Sequence, residues 1–335
     1  MEYGLLLPHF GEHATPDRLL RGAARAEELG FDALYVRDHL LWRPHGFEGR
    51  DPTFIDPFVT LAAAGAVTKR VRLGTAVVIP TRWPLKLAQD VASLSWLSGG
   101  RAVLGIGLGR DPKEFAANGF EAEEREQIFQ ETVEICRLVW TQSHATYRGT
   151  LFSFEDVSID PKPAAPVRID YGGSAPAALR RAVRFCDGWQ PGRVPLRTLD
   201  KRLATKRRLE QEHGRRIRVA IQPIVTIAHR YEEAARRVPI DEMGASAESA
   251  KWWDPPPSGK FETIADLEGL NIVGTPDDVH REILKFHERD VDEVIIDLRL
   301  QFDQFQEALE LLGREVLPRL KTVRTPSAPA ASPTR

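Results

Sequence analysis

Val71–Gly109 reads VRLGTAVVIPTRWPLKLAQDVASLSWLSGGRAVLGIGLG, and the order of its parts decides the fold. An apolar, β-branched run (Val71–Ile79) is followed by a helical stretch (Leu85–Leu97), then Gly99-Gly100, then a second apolar run (Ala102–Gly107). Strands that are apolar throughout rather than alternating are those covered on both faces, as in a parallel sheet wrapped by helices.

Outward from this unit the same rhythm recurs. Toward the amino terminus lie a strand at Tyr3–Phe10, a helix opened by Thr15-Pro16-Asp17 and stopped by Gly30, a strand at Phe31–His39, and a helix from Asp56-Pro57 through Ala66. The openings place an N-cap, a first-turn proline and an acid where unpaired amides and the helix dipole favour them. Toward the carboxyl terminus a helix at Glu121–Trp140 gathers Ile128, Val133, Ile135, Leu138 and Val139 near one face. Residues 142–166 alternate like a hairpin and read as an insertion. Then come strand Val167–Gly172, helix Ala175–Phe185, strand Gly188–Gln190, helix Leu196–His213 and strand Val219–Ala228. A second insertion near 230–270 contains the loop WWDPPPSGKF. Thr275-Pro276-Asp277-Asp278 starts a helix with its body at Val279–Arg289, before a last strand at Glu293–Leu298 and a last helix at Phe302–Leu320. Eight strands, each followed by helical sequence, favour an α/β fold of the (β/α)8 TIM barrel type over residues 1–321, with a doubly wound sheet as the alternative. Residues 322–335, rich in Pro, Ala, Ser and Thr, are expected to form a disordered tail.

Composition narrows the function classes. The 335 residues carry 46 Lys+Arg against 48 Asp+Glu, a formal net charge of −2, which argues against a nucleic-acid binder. Two cysteines exclude a disulfide scaffold, and no apolar run reaches the roughly 20 residues that cross a bilayer. The amino terminus, MEYGLLLPHF, lacks the pattern of a signal peptide. A soluble, cytoplasmic protein is the expectation, with no membrane partner.

In a barrel the polar residues at the carboxyl ends of the strands become site candidates. Tyr171-Gly172-Gly173-Ser174-Ala175-Pro176 ends a strand in two glycines and a serine just before a helix. It reads either as a phosphate cradle or as a plain turn with Ser174 as N-cap. Gly105-Ile106-Gly107-Leu108-Gly109-Arg110 misses the dinucleotide fingerprint, which needs a glycine at position 110. It reads instead as a loop passing close to a planar ligand, with Arg110 or Glu114 nearby, or with Glu114 as a solvated helix-start acid. Asp38-His39 closes the second strand: the histidine can move a proton near neutral pH, and the adjacent acid can orient it. Trp42 could wall a planar group. Cys136 and Cys186 read as packed thiols, and no metal is expected, because no cluster completes a ligand set around His9 and His13.

Together, GFDALYVRDHL (Gly30–Leu40), the Val71–Gly109 stretch with Glu114-Phe115, YGGSAPAALRRAVRFCDGWQP (Tyr171–Pro191) and GTPDDV (Gly274–Val279) resemble the bacterial luciferase-like superfamily of flavin- and deazaflavin-dependent oxidoreductases. The resemblance implies a barrel with insertions and a cofactor ring across its mouth. It implies the cofactor phosphate at Gly172, Gly173, Ser174 and Ala175, and the ring beside His9, Phe10, Asp38 and His39. It also implies a cofactor-facing loop over Gly107, Gly109 and Arg110, and a non-prolyl cis peptide at Ala76–Val77 in a bulge of the third strand, where Thr75, Ala76 and Val77 would back the cofactor ring. Members that oxidise sugar phosphates carry an acid where this chain has Arg110, and the reactive thiol of light-emitting members has no counterpart. The implied activity is hydride transfer between coenzyme F420 and a small organic substrate, with His39 and Asp38 as catalytic residues and pairing into homodimers through outer helices. The alternative cofactor is FMN, in a monooxygenase fed by a flavin reductase partner. A sugar-phosphate isomerase or lyase barrel, or a catalytically silent flavin-binding protein, are the readings from other classes.

Overall fold

The computed structural model describes residues 1–44 and 46–323; the rest of the expected tail, from residue 324, lies outside the described residues. Twelve strands run in chain order: β1 (Glu2–Leu6), β2 (Ala33–Val36), β3 (Arg72–Thr75), β4 (Ala102–Gly107), β5 (Ala145–Arg148), β6 (Ser153–Val157), β7 (Arg168–Gly172), β8 (Gly188–Gly192), β9 (Arg218–Ile221), β10 (Ile224–Ile227), β11 (Asn271–Gly274) and β12 (Glu293–Ile296). Eight of them close a parallel barrel in the order β1-β2-β3-β4-β7-β8-β9-β12, with β12 pairing back to β1. These are the eight strands expected from the sequence, and the doubly wound alternative is excluded. Helices pack outside, and residues 142–166 contain the antiparallel β5–β6 hairpin.

The sequence reading departs furthest from the structure at one strand; β1, β2 and β3 also end at Leu6, Val36 and Thr75, short of the expected Phe10, His39 and Ile79. The expected run Val219–Ala228 is broken at Gln222-Pro223, where proline offers no amide to a ladder. The chain leaves the barrel after β9, and β10 pairs in parallel with β11, a short strand the sequence reading passed over. This two-stranded sheet carries a second apolar cluster, including Ile224, Val238, Met243, Phe261 and Leu270. Trp253 packs against both this cluster and the main core.

The last helix is also irregular. It runs as Phe305–Leu311, a π-helical turn at Leu312–Val316, and Leu317–Lys321. Pro318 cannot donate to the preceding turn, so the hydrogen-bond ladder rearranges before it. Among the described residues no helix is long and apolar enough to cross a membrane.

Candidate functional site

The carboxyl ends of β1, β2, β3, β4 and β7 bring most of the expected site residues to one mouth. The centre of this mouth is a close approach of backbones. The Ala76–Val77 peptide is cis, as the resemblance implies. Just past the end of β3, Val77 turns its isopropyl group toward the glycines of the neighbouring strands. A Cβ on Gly172 would lie 2.5 Å from Val77 Cγ2, and one on Gly107 would lie 3.0 Å from it. The glycines of β4 and β7 therefore make room for Val77, a packing reason that sequence alone did not supply. Thr75 lies deeper: fully buried, its hydroxyl donates to the Gly105 carbonyl at 2.7 Å and accepts from the Gly105 amide at 2.9 Å. That hydroxyl staples β3 to β4.

His39 is partly exposed, 27 % by side chain, and its Nδ1 lies 3.3 Å from both carboxylate oxygens of Glu114. Glu114 also accepts from the amides of Leu40 (3.0 Å) and Leu41 (3.2 Å), so one carboxylate fixes both the ring and the loop that carries it. Asp111-Pro112 caps the short helix Pro112–Ala117 and places Glu114 in its first turn, facing inward. Glu114 is 2 % exposed, so it is not a solvated helix-start acid. Three donors offset the cost of burying its charge. With Nδ1 on the carboxylate, the His39 Nε2 carries no hydrogen bond within the described residues.

Asp38 does not orient His39. Its buried carboxylate accepts instead from Arg82 Nη1 at 2.5 Å and the Ile79 amide at 3.2 Å. Burial pushes its carboxyl up from the usual range, against the pull of Arg82. Asp38 thus ties β2 to the loop beyond the cis peptide.

His9 is wholly buried. Its Nδ1 sits 2.9 Å from the Leu7 carbonyl and its Nε2 accepts from the Arg37 amide at 2.9 Å, so both nitrogens are used and the ring is held neutral. Burial lowers its pKa to about 4. Phe10 stacks on Phe54 at 5.7 Å and meets Trp42 edge-on, while His39 lies 5.1 Å from Trp42 and 5.4 Å from Phe54. An aromatic wall stands beside the one histidine of this group with a free nitrogen.

The last expected element is the loop after β7. Ala175, with no hydrogen-bonding side chain, is the N-cap of helix Pro176–Phe185. Ser174 is therefore not the N-cap that the plain-turn reading assigned to it. Gly173 adopts φ +147°, its amide donates to the Gln190 carbonyl at 3.0 Å and its carbonyl accepts from the Trp189 indole at 2.8 Å. Gly109 (φ +74°) turns the β4 loop, since a Cβ there would sit 2.7 Å from Ile79 Cγ2, and Arg110 beyond it is exposed. Both cysteines are buried, and burial pushes the Cys136 thiol up to about 12.

Sequence reasoning held Glu114 only as an alternative and attached the orienting role to Asp38. The signal was present in Asp111-Pro112 three residues before it, a helix start that fixes which way a first-turn acid points.

The family model described as luciferase-like monooxygenase matches residues 1–293. The F420-dependent glucose-6-phosphate dehydrogenase of Nakamurella multipartita is 37% identical over 213 residues, 62% of this chain and 61% of that protein. The enzyme of the same description from Microbacterium testaceum is 39% identical over 183 residues, 53% of each chain. The chain thus spans about half to three-fifths of the length of these curated relatives. Among solved structures, monooxygenase RslO1 from Streptomyces bottropensis superposes with TM-score 0.77 at 26% identity, covering 96% of this chain and 100% of that one. An F420-dependent secondary alcohol dehydrogenase shares the fold at 19% identity, TM-score 0.77, covering 95% of this chain and 98% of that one. The barrel order and a family match over residues 1–293 lead to one conclusion: this chain belongs to the luciferase-like monooxygenase family.

Proposed function

We propose that this chain is an oxidoreductase that binds coenzyme F420 and moves a hydride to or from a small organic substrate. The observation that carries the reading is the His39–Glu114 pair: a partly exposed imidazole, oriented through Nδ1, presents an unbonded Nε2 at the barrel mouth. Gly107 and Gly172 bring no side chains to the mouth and the Val77 isopropyl lies against both, a surface that suits a flat tricyclic group. Gly172, Gly173, Ser174 and the uncapped start of helix Pro176–Phe185 suit its phosphate. A deazaflavin supplies the hydride acceptor or donor when bound. The chain's own part is to hold substrate against the aromatic wall of Phe10, Trp42 and Phe54, to exclude water, and to exchange the substrate's hydroxyl proton at His39 Nε2. Arg110 occupies the position expected of an acid in sugar-phosphate oxidisers, so the substrate class need not follow that of the named relatives.

The likeness to monooxygenase RslO1 favours a second reading, a monooxygenase, for which the family resemblance implies FMN reduced by a partner reductase. Side-by-side titration with F420 and FMN separates the two: tight binding of F420 with weak binding of FMN supports the first, the reverse supports the second, and failure of both removes the redox reading.

The outer face of helices Pro57–Ala66 and Pro84–Ser98 carries Val59, Ala62, Ala63, Ala66, Val67, Trp96 and Leu97, all exposed. A contiguous apolar face of this kind suits a homodimer interface.

A further inference from the structure

The second insertion reaches the phosphate loop through one side chain. Trp252 is 41% exposed, and its indole Nε1 donates to Ser174 Oγ at 3.0 Å. The segment carrying it is fastened to helix Leu196–His213: the Asp254 amide donates to Thr198 Oγ1 at 2.8 Å, Lys201 pairs with the Asp254 carboxylate, and Arg202 Nη2 donates to the Trp252 carbonyl at 3.2 Å. Beside it Trp253 is packed between the two apolar clusters. A half-buried neighbour and three polar ties hold an exposed indole against one hydroxyl.

The polarity of that hydrogen bond matters. An indole N–H can only donate, so Ser174 Oγ must accept, and its single hydrogen is left to point elsewhere. No acceptor for that hydrogen exists among the described residues. The hydroxyl lies between the Gly172-Gly173 turn and an amide-bearing helix start that lacks a side-chain cap.

From this geometry we infer that Trp252 is a positioning residue for cofactor recognition: it fixes the Ser174 hydroxyl so that its O–H donates to an anionic group held at residues 172–174. The inference rests on the phosphate reading proposed above and adds what the insertion contributes to it. The insertion then acts on cofactor binding without touching the reacting atoms. Removing the indole N–H leaves Ser174 free to rotate, and the cost falls on ligands bearing the phosphate alone.

The test uses the full chain and two matched pairs of probes, F420 with 8-hydroxy-5-deazariboflavin and FMN with riboflavin, each pair differing by its phosphate-bearing tail. Trp252→Phe keeps the ring and loses the donor. Its dissociation constant for the phosphate-bearing member of whichever pair binds should rise about three- to tenfold, the worth of one net hydrogen bond, while that for the phosphate-free member stays within about twofold. Ser174→Ala should discriminate at least as strongly, and the double variant should lose no more than Ser174→Ala alone, because the indole acts through the hydroxyl. If Ser174→Ala discriminates and Trp252→Phe does not, the role of Trp252 is overturned and the phosphate reading stands. If neither discriminates, or Trp252→Phe weakens both members of the pair equally, the inference falls; in the former case the phosphate reading falls with it.

Discussion

Glu114 lies 75 residues beyond His39 in the chain, yet its two carboxylate oxygens share the His39 Nδ1 at 3.3 Å. A carboxylate on one ring nitrogen fixes the ring and selects the tautomer that leaves the other nitrogen as base. Glu114→Gln keeps the size and loses the charge. Steady-state kinetics should give a kcat lower by about 10–100-fold, with a smaller change in KM, as expected on losing an orienting partner. An unchanged kcat would detach Glu114 from the chemistry.

His39→Ala should lower turnover by about 10²–10⁴-fold, the range contributed by a positioned acid–base group. Its ring is not part of the proposed phosphate site, so the cofactor dissociation constant should move by less than about threefold. Stopped-flow turnover and equilibrium titration on the same preparation separate the two effects.

Gly172→Ala would set a Cβ 2.5 Å from Val77 Cγ2. Overpacking of this kind costs about 1–3 kcal/mol, measurable as a lower urea midpoint at unchanged slope. Adding Val77→Ala should recover part of the loss, because the clash lies between those two side chains. No recovery would mean that another contact limits β7.

His9 gives stability a pH dependence. Its folded pKa of about 4 lies below the ordinary histidine value, so below about 6.5 the unfolded chain takes up a proton that the folded one refuses. The contribution is complete above about 6.5 and is lost as pH falls toward 4, up to about 3 kcal/mol for a fully buried ring. Denaturant unfolding of the wild type and of His9→Gln at pH 7 and pH 4.5 should show the wild type losing more. Equal losses would remove His9 as the source.

If the apolar outer face pairs two copies, Val59→Glu with Ala62→Glu should give a monomer in sedimentation velocity, with the melting temperature little changed. Both positions are exposed in the single chain and carry little of its stability.

The sequence alone determined the barrel. Its eight apolar strand runs, with helix starts at Thr15-Pro16, Asp56-Pro57 and Thr275-Pro276, are local signals, and parallel strands covered on both faces leave few ways to close. The cradle candidates Gly172–Ala175 and the histidine at 39 were also legible, because glycine and strand-end histidine stand out in one dimension. Tertiary structure decided the partners. Asp38 and His39 adjoin in sequence beyond the end of β2, yet one went to Arg82 and the other to Glu114. The pairing of β10 with β11 likewise depended on residues 47 positions apart (Ile224 with Asn271). Contacts between distant segments are selected by burial and hydrogen-bond satisfaction in the folded chain, and these leave no periodic trace in the order of residues.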